Sequence, residues 1–349
     1  MRGARGETTF RNARSGAYEA RPTSKINGLE QERVRIEAEN LALDARNRRP
    51  ELKRAFFVWS LGFVFSFGVS AHALAAEPDW SAVDKVFGAT GKDLPGGVHR
   101  LGWPRTDLRV TIAGTPVEPA LALGSWGGFV RTGKDDEAMT MGDLVLLEAE
   151  VTPAITALLA GGLDVLAIHN HLINESPHIV YVHFAAHGDP ATLARALKGA
   201  LQTTKTPMAP VPSKTELTPA QQQTFKNVQD ALGRAGTMAG KVLQVGVPRA
   251  EKLEEHGMEV PASMGMGISM NFQLVGEKVA TTGDFVLIAS EVNPVIRELR
   301  GRGLDVTALH SHMLEESPRL FFMHFWGVDT PEKIGGALKA ALSKVSTKK

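Results

Sequence analysis

The chain has 349 residues, of which 43% are apolar and 22% charged, the size and composition of a globular protein with room for two domains. A formal net charge of +1 gives no field to draw it to nucleic acid or to an anionic membrane, so no nucleic-acid partner is expected. The absence of cysteine excludes disulfides, thiolate-bound zinc, iron–sulfur clusters, thiol catalysis and lipidation at a lipobox.

Residues 1–54 are polar and Arg-rich, with a short helix predicted near Leu29–Asp44. Arg48, Arg49, Lys53 and Arg54 then precede an apolar run, Ala55 to Ala76, that ends on the small-residue site Ala73-Leu-Ala75. Basic flank, apolar core and small-residue site follow one another as in a secretory signal. Residues 1–75 are therefore expected to be a leader, cleaved after Ala75, that sends the protein to the periplasm or another extracytoplasmic space. The alternative is an uncleaved inner-membrane anchor, since about 22 apolar residues span a bilayer; membrane association is expected through this segment alone. Arg48-Arg49-Pro-Glu-Leu52-Lys53 resembles a twin-arginine export signal, with Glu51 where Phe is usual.

The remainder is a tandem repeat. Residues 142–201 align without a gap on 283–342 at an offset of 141, with 27 of 60 positions identical. Upstream the match loosens: Val117-Glu-Pro-Ala-Leu-Ala-Leu-Gly faces Val260-Pro-Ala-Ser-Met-Gly-Met-Gly. Residues 80–203 and 219–345 are read as two copies of one domain, and 204–218, rich in proline and poor in large apolar residues, as the linker.

Each copy reads alike. A helix comes first (Ser81–Phe87; Pro219–Arg234), the second opened by Thr218-Pro219, an N-cap followed by Pro at N1. Short glycine-broken strands follow (Leu108–Ile112 and Ala120–Arg131; Val242–Val247 and Gly267–Leu274). Then come an apolar strand (Leu144–Glu148; Phe285–Ala289), a helix with Pro in its first turn (Pro153–Ala160; Pro294–Arg300) and a strand (Leu163–Leu172; Leu304–Met313). A turn of Asn-Glu-Ser-Pro or Glu-Glu-Ser-Pro joins this strand to another (Ile179–Ala185; Leu320–Trp326), and a last helix starts after Asp189-Pro190 or Asp329-Thr-Pro331. The expected fold class is α+β: two tandem pseudo-symmetric repeats, each a mixed β-sheet with a β-α-β unit, a His-bearing hairpin and covering helices.

The hairpin carries the chemistry. His169-x-His171-x₃-Glu175-x₇-His183 recurs as His310-x-His312-x₃-Glu316-x₇-His324. Two histidines two residues apart on a strand share a face. A hairpin turning at Ser176 would set His169 opposite His183, with Cβ atoms about 5 Å apart. His169, His171 and His183, and in the second copy His310, His312 and His324, are thus expected as metal ligands, with Glu175 and Glu316 as a fourth ligand or general acid/base. Such a set suits a divalent transition metal, zinc before manganese, iron, nickel or copper. An open coordination position makes the site catalytic, and four protein ligands make it structural. The alternative is sheet histidines satisfied by hydrogen bonds, with no metal. Independent sites predict that His171→Ala and His312→Ala each remove about half the metal; a shared site predicts loss of all of it from either.

Other features carry less. Ser176 and Ser317 lack a strand-to-helix nucleophile elbow. Gly124-Ser-Trp-Gly-Gly lacks the Lys-Ser/Thr of a phosphate-binding loop. Met264-Gly-Met-Gly-Ile-Ser-Met270 alternates as a core strand does, with thioether copper ligation as the other reading. Asp143 and Asp284 are placed just before a strand, and Asp164 and Asp305 one step off the His-bearing face, as turn or cap residues.

The His-x-His-x₃-Glu spacing resembles the first metal motif of cupins, although helices between the strands depart from that barrel. Across about residues 80–345, Gly-Asp-Phe-Val-Leu-Ile, Glu-Val-Asn-Pro, Gly-Leu-Asp-Val, Ala-Leu-His-Ser-His-Met and Glu-Ser-Pro-Arg-Leu-Phe-Phe-Met-His-Phe-Trp-Gly resemble the LppY/LpqO family of exported bacterial proteins. That resemblance implies a cell-envelope address and no reaction, and the missing lipobox Cys sets this chain apart from lipidated members. The expected function is that of an exported envelope protein binding a divalent metal in each repeat, as a hydrolase or lyase acting on a small molecule or envelope component. The alternative is a non-catalytic ligand-binding or structural module.

Overall fold

The computed structural model describes residues 78–134, 136–209 and 216–348. The predicted leader, with its signal or anchor and its export motif, lies outside the described residues.

The first repeat runs α1 (Ser81–Phe87), β1 (Lys92–Leu94), β2 (Val98–Pro104), β3 (Thr111–Ile112), β4 (Thr115–Pro116), α2 (Pro119–Ala122), β5 (Gly124–Arg131), β6 (Ala138–Leu147), α3 (Glu148–Ala160), β7 (Asp164–His169), β8 (Glu175–Ser176), β9 (Ile179–Gly188) and α4 (Pro190–Gln202). The second runs α5 (Pro219–Leu232), β10 (Thr237–Ala239), β11 (Val242–Val247), β12 (Glu254–Glu255), β13 (Met258–Glu259), β14 (Ile268–Val275), β15 (Lys278–Leu287), α6 (Ala289–Gly301), β16 (Asp305–His310), β17 (Glu316–Ser317), β18 (Phe321–Asp329) and α7 (Pro331–Leu342). A 3₁₀ turn, Ala262–Met264, stands where the first repeat has α2. The two α+β repeats expected from the sequence are present.

Each repeat builds a six-stranded sheet, in the orders β1-β2-β5-β6-β9-β7 and β10-β11-β14-β15-β18-β16. Every ladder is antiparallel. The adjacent parallel pair expected from the β-α-β crossover therefore does not form. β6 and β7 do run parallel, but β9 lies between them and bonds to both, a split β-α-β unit. The insertion is favoured because β9 pairs with β6 along ten residues, Ala138↔Gly188 to Leu147↔Ile179, and buries most of its length.

Local sequence sets the boundaries. The helix after β6 starts a turn before Pro153, because the Glu150 side chain accepts from the Leu147 N–H at 2.9 Å and caps it. Asp189 caps α4 by accepting from Thr192 N–H at 2.8 Å, with Pro190 at N1. Pro119 opens the short helix α2, so the strand predicted over Ala120–Arg131 begins only at Gly124. The strand predicted at Leu108–Ile112 shrinks to Thr111–Ile112, which pairs with β8 away from the main sheet.

Helices α1, α3 and α4 cover one face of the first sheet, where Val83, Phe87, Leu158, Leu193 and Leu197 pack on Leu144, Leu146, Val182 and Phe184. The second repeat buries the equivalent face under α5, α6 and α7. The other two faces meet. A continuous apolar cluster joins Val98, Val130, Met139 and Met141 of the first repeat to Met264, Met266 and Met313 of the second. Side chains of the second sheet also serve the backbone of the first repeat: Gln273 Nε2 donates to Pro116 O at 2.7 Å, Asn271 Nδ2 to Leu121 O at 2.8 Å and Gln244 Nε2 to Ala120 O at 3.0 Å. β6 and β15 are covered on both sides, so nearly every residue of each is buried, the polar ones included.

Candidate metal centre

All six motif histidines converge where the two inner faces meet. The closest histidine ring to each belongs to the other repeat: His169 and His310 at 3.6 Å between centroids, His171 and His324 at 3.7 Å, His183 and His312 at 3.8 Å. Within a repeat the rings stand further apart, 5.0 Å for His169–His183 and 4.8 Å for His310–His312. The cluster is thus one constellation shared by two repeats.

The register explains the outcome. His169 lies opposite Tyr181, and His183 opposite Ala167, with a bulge between Val165 and Ala167. The connection is no simple hairpin. It leaves the sheet so that Glu175-Ser176 can pair with Thr111-Ile112, and the expected turn at Ser176 is lost. The second repeat repeats this with the bulge at Val306/Ala308 and Glu255 opposite Glu316. His183 and His324 instead face Asp143 and Asp284 across their other ladder.

Those two aspartates are the acids that the sequence reading passed over. They lie inside β6 and β15 and share the histidine face. Asp143 Oδ1 stands 3.9 Å from His183 Nε2, and Asp284 Oδ1 3.9 Å from His324 Nε2. The signal that could have found them is the Gly-Asp dipeptide common to both repeats, four residues before the shared Pro-bearing helix cap region.

Three ligand sets follow, the donor atoms of each lying within 4.8 Å of one another: His169, His171, His310 and His312; Asp143, His171 and His183; Asp284, His312 and His324. The first spans both repeats. The other two are two-histidine, one-carboxylate triads within a repeat, and they share His171 and His312 with the first. A two-histidine, one-carboxylate set with open positions suits non-haem iron, and histidine-rich sets suit zinc, nickel or copper.

Satisfaction sharpens this. Nε2 of all six histidines, Asp143 Oδ1 and Asp284 Oδ1 are buried and meet no hydrogen-bond partner. A buried polar atom left so costs about 1–3 kcal/mol, and eight converging on one place call for a ligand. His324 Nδ1 donates to Gly283 O at 3.0 Å, which turns the lone pair of Nε2 into the cluster, the arrangement of a metal-ligating histidine.

Charge agrees. Burial, and then His310, holds the His169 pKa down at about 3, and burial holds His310 at about 4. Burial and the neighbouring imidazoles hold His171, His183, His312 and His324 well below the usual histidine range. Burial pushes Asp143 and Asp284 well above the usual carboxylate range; Arg100 acts against this at Asp143. The cluster is a neutral nest of imidazole lone pairs, the form that binds metal.

Glu175 and Glu316 sit apart from the three sets. Glu175 Oε1 accepts from Ile179 N–H at 3.0 Å while Oε2 is buried without a partner, and burial raises its pKa to about 7. Glu316 accepts from Leu320 N–H at 2.9 Å and from Arg319 at 3.2 Å. Both carboxylates tie down the connection after the His-x-His strand. A cavity of about 20 Å³ opens beside His183 and His312.

A protein-family profile described as Domain of Unknown Function (DUF1259) matches residues 81–203 and 226–344, one match for each repeat. No curated protein matches the chain significantly. Among solved structures, the fused permuted hexameric shell protein MSM0275 from the RMM microcompartment is similar at 12% identity over 70% of this chain and 94% of that one, with a TM-score of 0.17. The trimeric bacterial microcompartment shell protein PduB is similar at 11% identity over 72% and 87%, and EtuB from Clostridium kluyveri at 11% over 72% and 90%, each with a TM-score of 0.17. Likeness this slight says nothing of function or assembly.

Proposed function

The chain belongs to the DUF1259 family, whose domain it carries twice, and from that premise we propose that the two copies together hold a divalent transition metal at their junction. Six buried Nε2 atoms with no partner, from both repeats, support this reading above all else. His169, His171, His310 and His312 would hold an ion between the repeats; Asp143 with His183, and Asp284 with His324, supply the anionic ligands on either side. Zinc is the first expectation for so many neutral nitrogen donors. His169, His171 and His310 are only partly buried, so the cluster lies near the surface on that side although its Nε2 atoms are covered.

A bound ion would supply Lewis-acid activation of water or of a carbonyl, the chemistry of a hydrolase or lyase. Glu175, with a pKa raised to about 7, supports an acid/base role in the first repeat. Glu316, held by Arg319 and Leu320 N–H, is the less free of the two. The 20 Å³ cavity favours a second reading, a metal-holding module without catalysis, because it admits an ion or a water and no organic substrate. An envelope address is proposed with either reading, on the leader-like segment 55–76 and the LppY/LpqO resemblance.

Elemental analysis of the purified chain, before and after dialysis against a chelator, tests the centre. Stoichiometric metal with a lower melting temperature after chelation is expected. A metal-free protein whose melting temperature ignores both zinc and chelator would sink it. Exchange-labile water on the bound ion, read by ligand-field spectra of the cobalt form with and without azide, separates the open site from the closed one.

A further inference from the structure

The sulfur in this protein is placed unevenly about the histidine cluster. The cavity beside His183 and His312 is lined by Met141, Met264, Met266 and Met313, all buried. The pseudo-twofold relation carries those four positions onto Thr282, Leu121, Leu123 and Leu172, near the opposite pair, His171 and His324. Among the described residues, one end of the cluster thus has four thioethers where the other has three leucines and a threonine. Packing alone does not ask for this, since leucine fills three of the four places in the other half of the same fold, and Leu and Met exchange at little cost.

The cavity's contents are limited by its size. About 20 Å³ admits one water-sized particle, for which roughly 10–15 Å³ suffices. His183 and His312, whose rings stack at 3.8 Å between centroids, both line it, and Nε2 of each is buried without a partner. Imidazole with thioether is a soft, uncharged donor set. It selects Cu(I) over magnesium, calcium or manganese, and a single positive charge is easier to desolvate among neutral donors than a double one. Methionine's three flexible torsions let sulfur turn toward an ion or away from it, as a site that loads and unloads requires. The opposite end offers Tyr181 stacked on His171 and the hydroxyl of Thr307 donating to His171 O at 2.7 Å.

We propose that the His183–His312 end of the centre is a monovalent copper site completed by thioether sulfur from Met141, Met264, Met266 and Met313. This rests on the reading of the histidine cluster as a metal centre, and it adds a second, softer position to it.

The test uses the whole chain, stripped of metal. Cu(I) is titrated without oxygen in competition with bicinchoninate, zinc uptake is measured in parallel, and X-ray absorption at the copper edge reports the ligand atoms. The variant M141L/M264L/M266L/M313L is compared with the parent, and M264L alone serves if the fourfold variant does not fold. The parent should bind Cu(I) with both sulfur and nitrogen neighbours. The fourfold variant should bind it at least tenfold more weakly without sulfur, M264L about threefold more weakly, and both should keep the parent's zinc content. Nitrogen-only copper in the parent, or equal Cu(I) affinity in parent and variants, overturns the copper site while leaving the zinc result standing. A parent that takes up neither metal overturns the centre as a whole.

Discussion

His169 and His310 stack on each other across the junction of the repeats, ring centroids 3.6 Å apart, although 141 positions separate them in the chain. An ion on one His-x-His strand is therefore within reach of the other. His169→Ala and His310→Ala should each remove nearly all of the bound metal, where independent sites would leave about half. Metal per chain, by plasma mass spectrometry on folded protein, decides between them.

The aspartates should reveal themselves by protons. Burial raises Asp143 and Asp284 well above the usual carboxylate range, which favours their proton-bound forms, and a bound cation would displace those protons. Calorimetric titration with zinc at neutral pH, in buffers of different ionisation enthalpy, should show proton release. Asp143→Asn or Asp284→Asn should release about one proton fewer and bind on the order of tenfold more weakly. Release unchanged in both variants would assign those protons elsewhere.

Acid should unfold the metal-free protein early. A histidine whose folded pKa is lowered to about 3, as at His169, or about 4, as at His310, binds protons in the unfolded chain first. Between the ordinary value near 6.5 and those folded values, stability falls as pH falls; above about 6.5 the contribution is complete. The two raised aspartates act in the opposite sense, losing stability as pH rises through their folded pKa, but six histidines outweigh two carboxyls. The melting temperature of chelated protein should drop steadily from pH 7 to pH 4.5, and zinc should reduce the slope. A flat profile would mean that the histidines are solvated.

Part of this was legible in the chain and part was not. The offset of 141 and the repeated His-x-His frame were enough to select all six histidines, because identity at matching positions needs no geometry. Their register was misjudged because Glu175-Ser176 leaves to pair with Thr111-Ile112, a contact about sixty residues back that no local pattern announces. Asp143 and Asp284 escape a reading that begins the strand at Leu144, where it begins at Ala138: Thr140, Gly142 and Asp143 look unlike a strand core although all three are buried. That the clusters merge depends on which sheet faces meet, and an amphipathic pattern does not identify the partner of its apolar side.

Glu175 gives a prediction of opposite sign to the histidines. Its folded pKa of about 7 lies above the ordinary value of 4.5, so its contribution is present at low pH and is lost as pH rises through 7. Glu175→Gln keeps an Oε1 acceptor for Ile179 N–H and removes the buried charge. The variant should match the parent in melting temperature at pH 5 and exceed it at pH 8.5, with metal content unchanged. Parity at both values would show that the carboxyl is hydrated.

The frame beneath the centre rests on a buried ion pair used twice. Arg105, fully buried, donates from Nη1 to Val145 O at 2.7 Å and to Glu150 Oε2 at 2.7 Å. Arg249 does the same with Val286 O at 2.7 Å and Glu291 Oε2 at 2.6 Å. Each arginine fastens the strand that bears Asp143 or Asp284 to the start of the following helix, and Asp107 or Glu251 completes its charge at 2.9 and 3.0 Å. Removing one partner strands a buried charge, a loss of about 3–5 kcal/mol. Arg105→Met should therefore lower the melting temperature by roughly 6 °C or more, at about 2–4 °C per kcal/mol for a domain of this size. Because the arginine touches none of the metal donors, the variant should keep its metal below the new midpoint. The double variant Arg105→Met with Glu150→Leu removes the stranded carboxylate and should recover much of the loss, although Leu147 and Lys205 N–H, which Glu150 also binds at 2.9 and 2.8 Å, keep the recovery incomplete. If Arg105→Met melts with the parent, the pair does not hold the strand; if it melts with the parent and loses metal, the arginine acts on the centre itself.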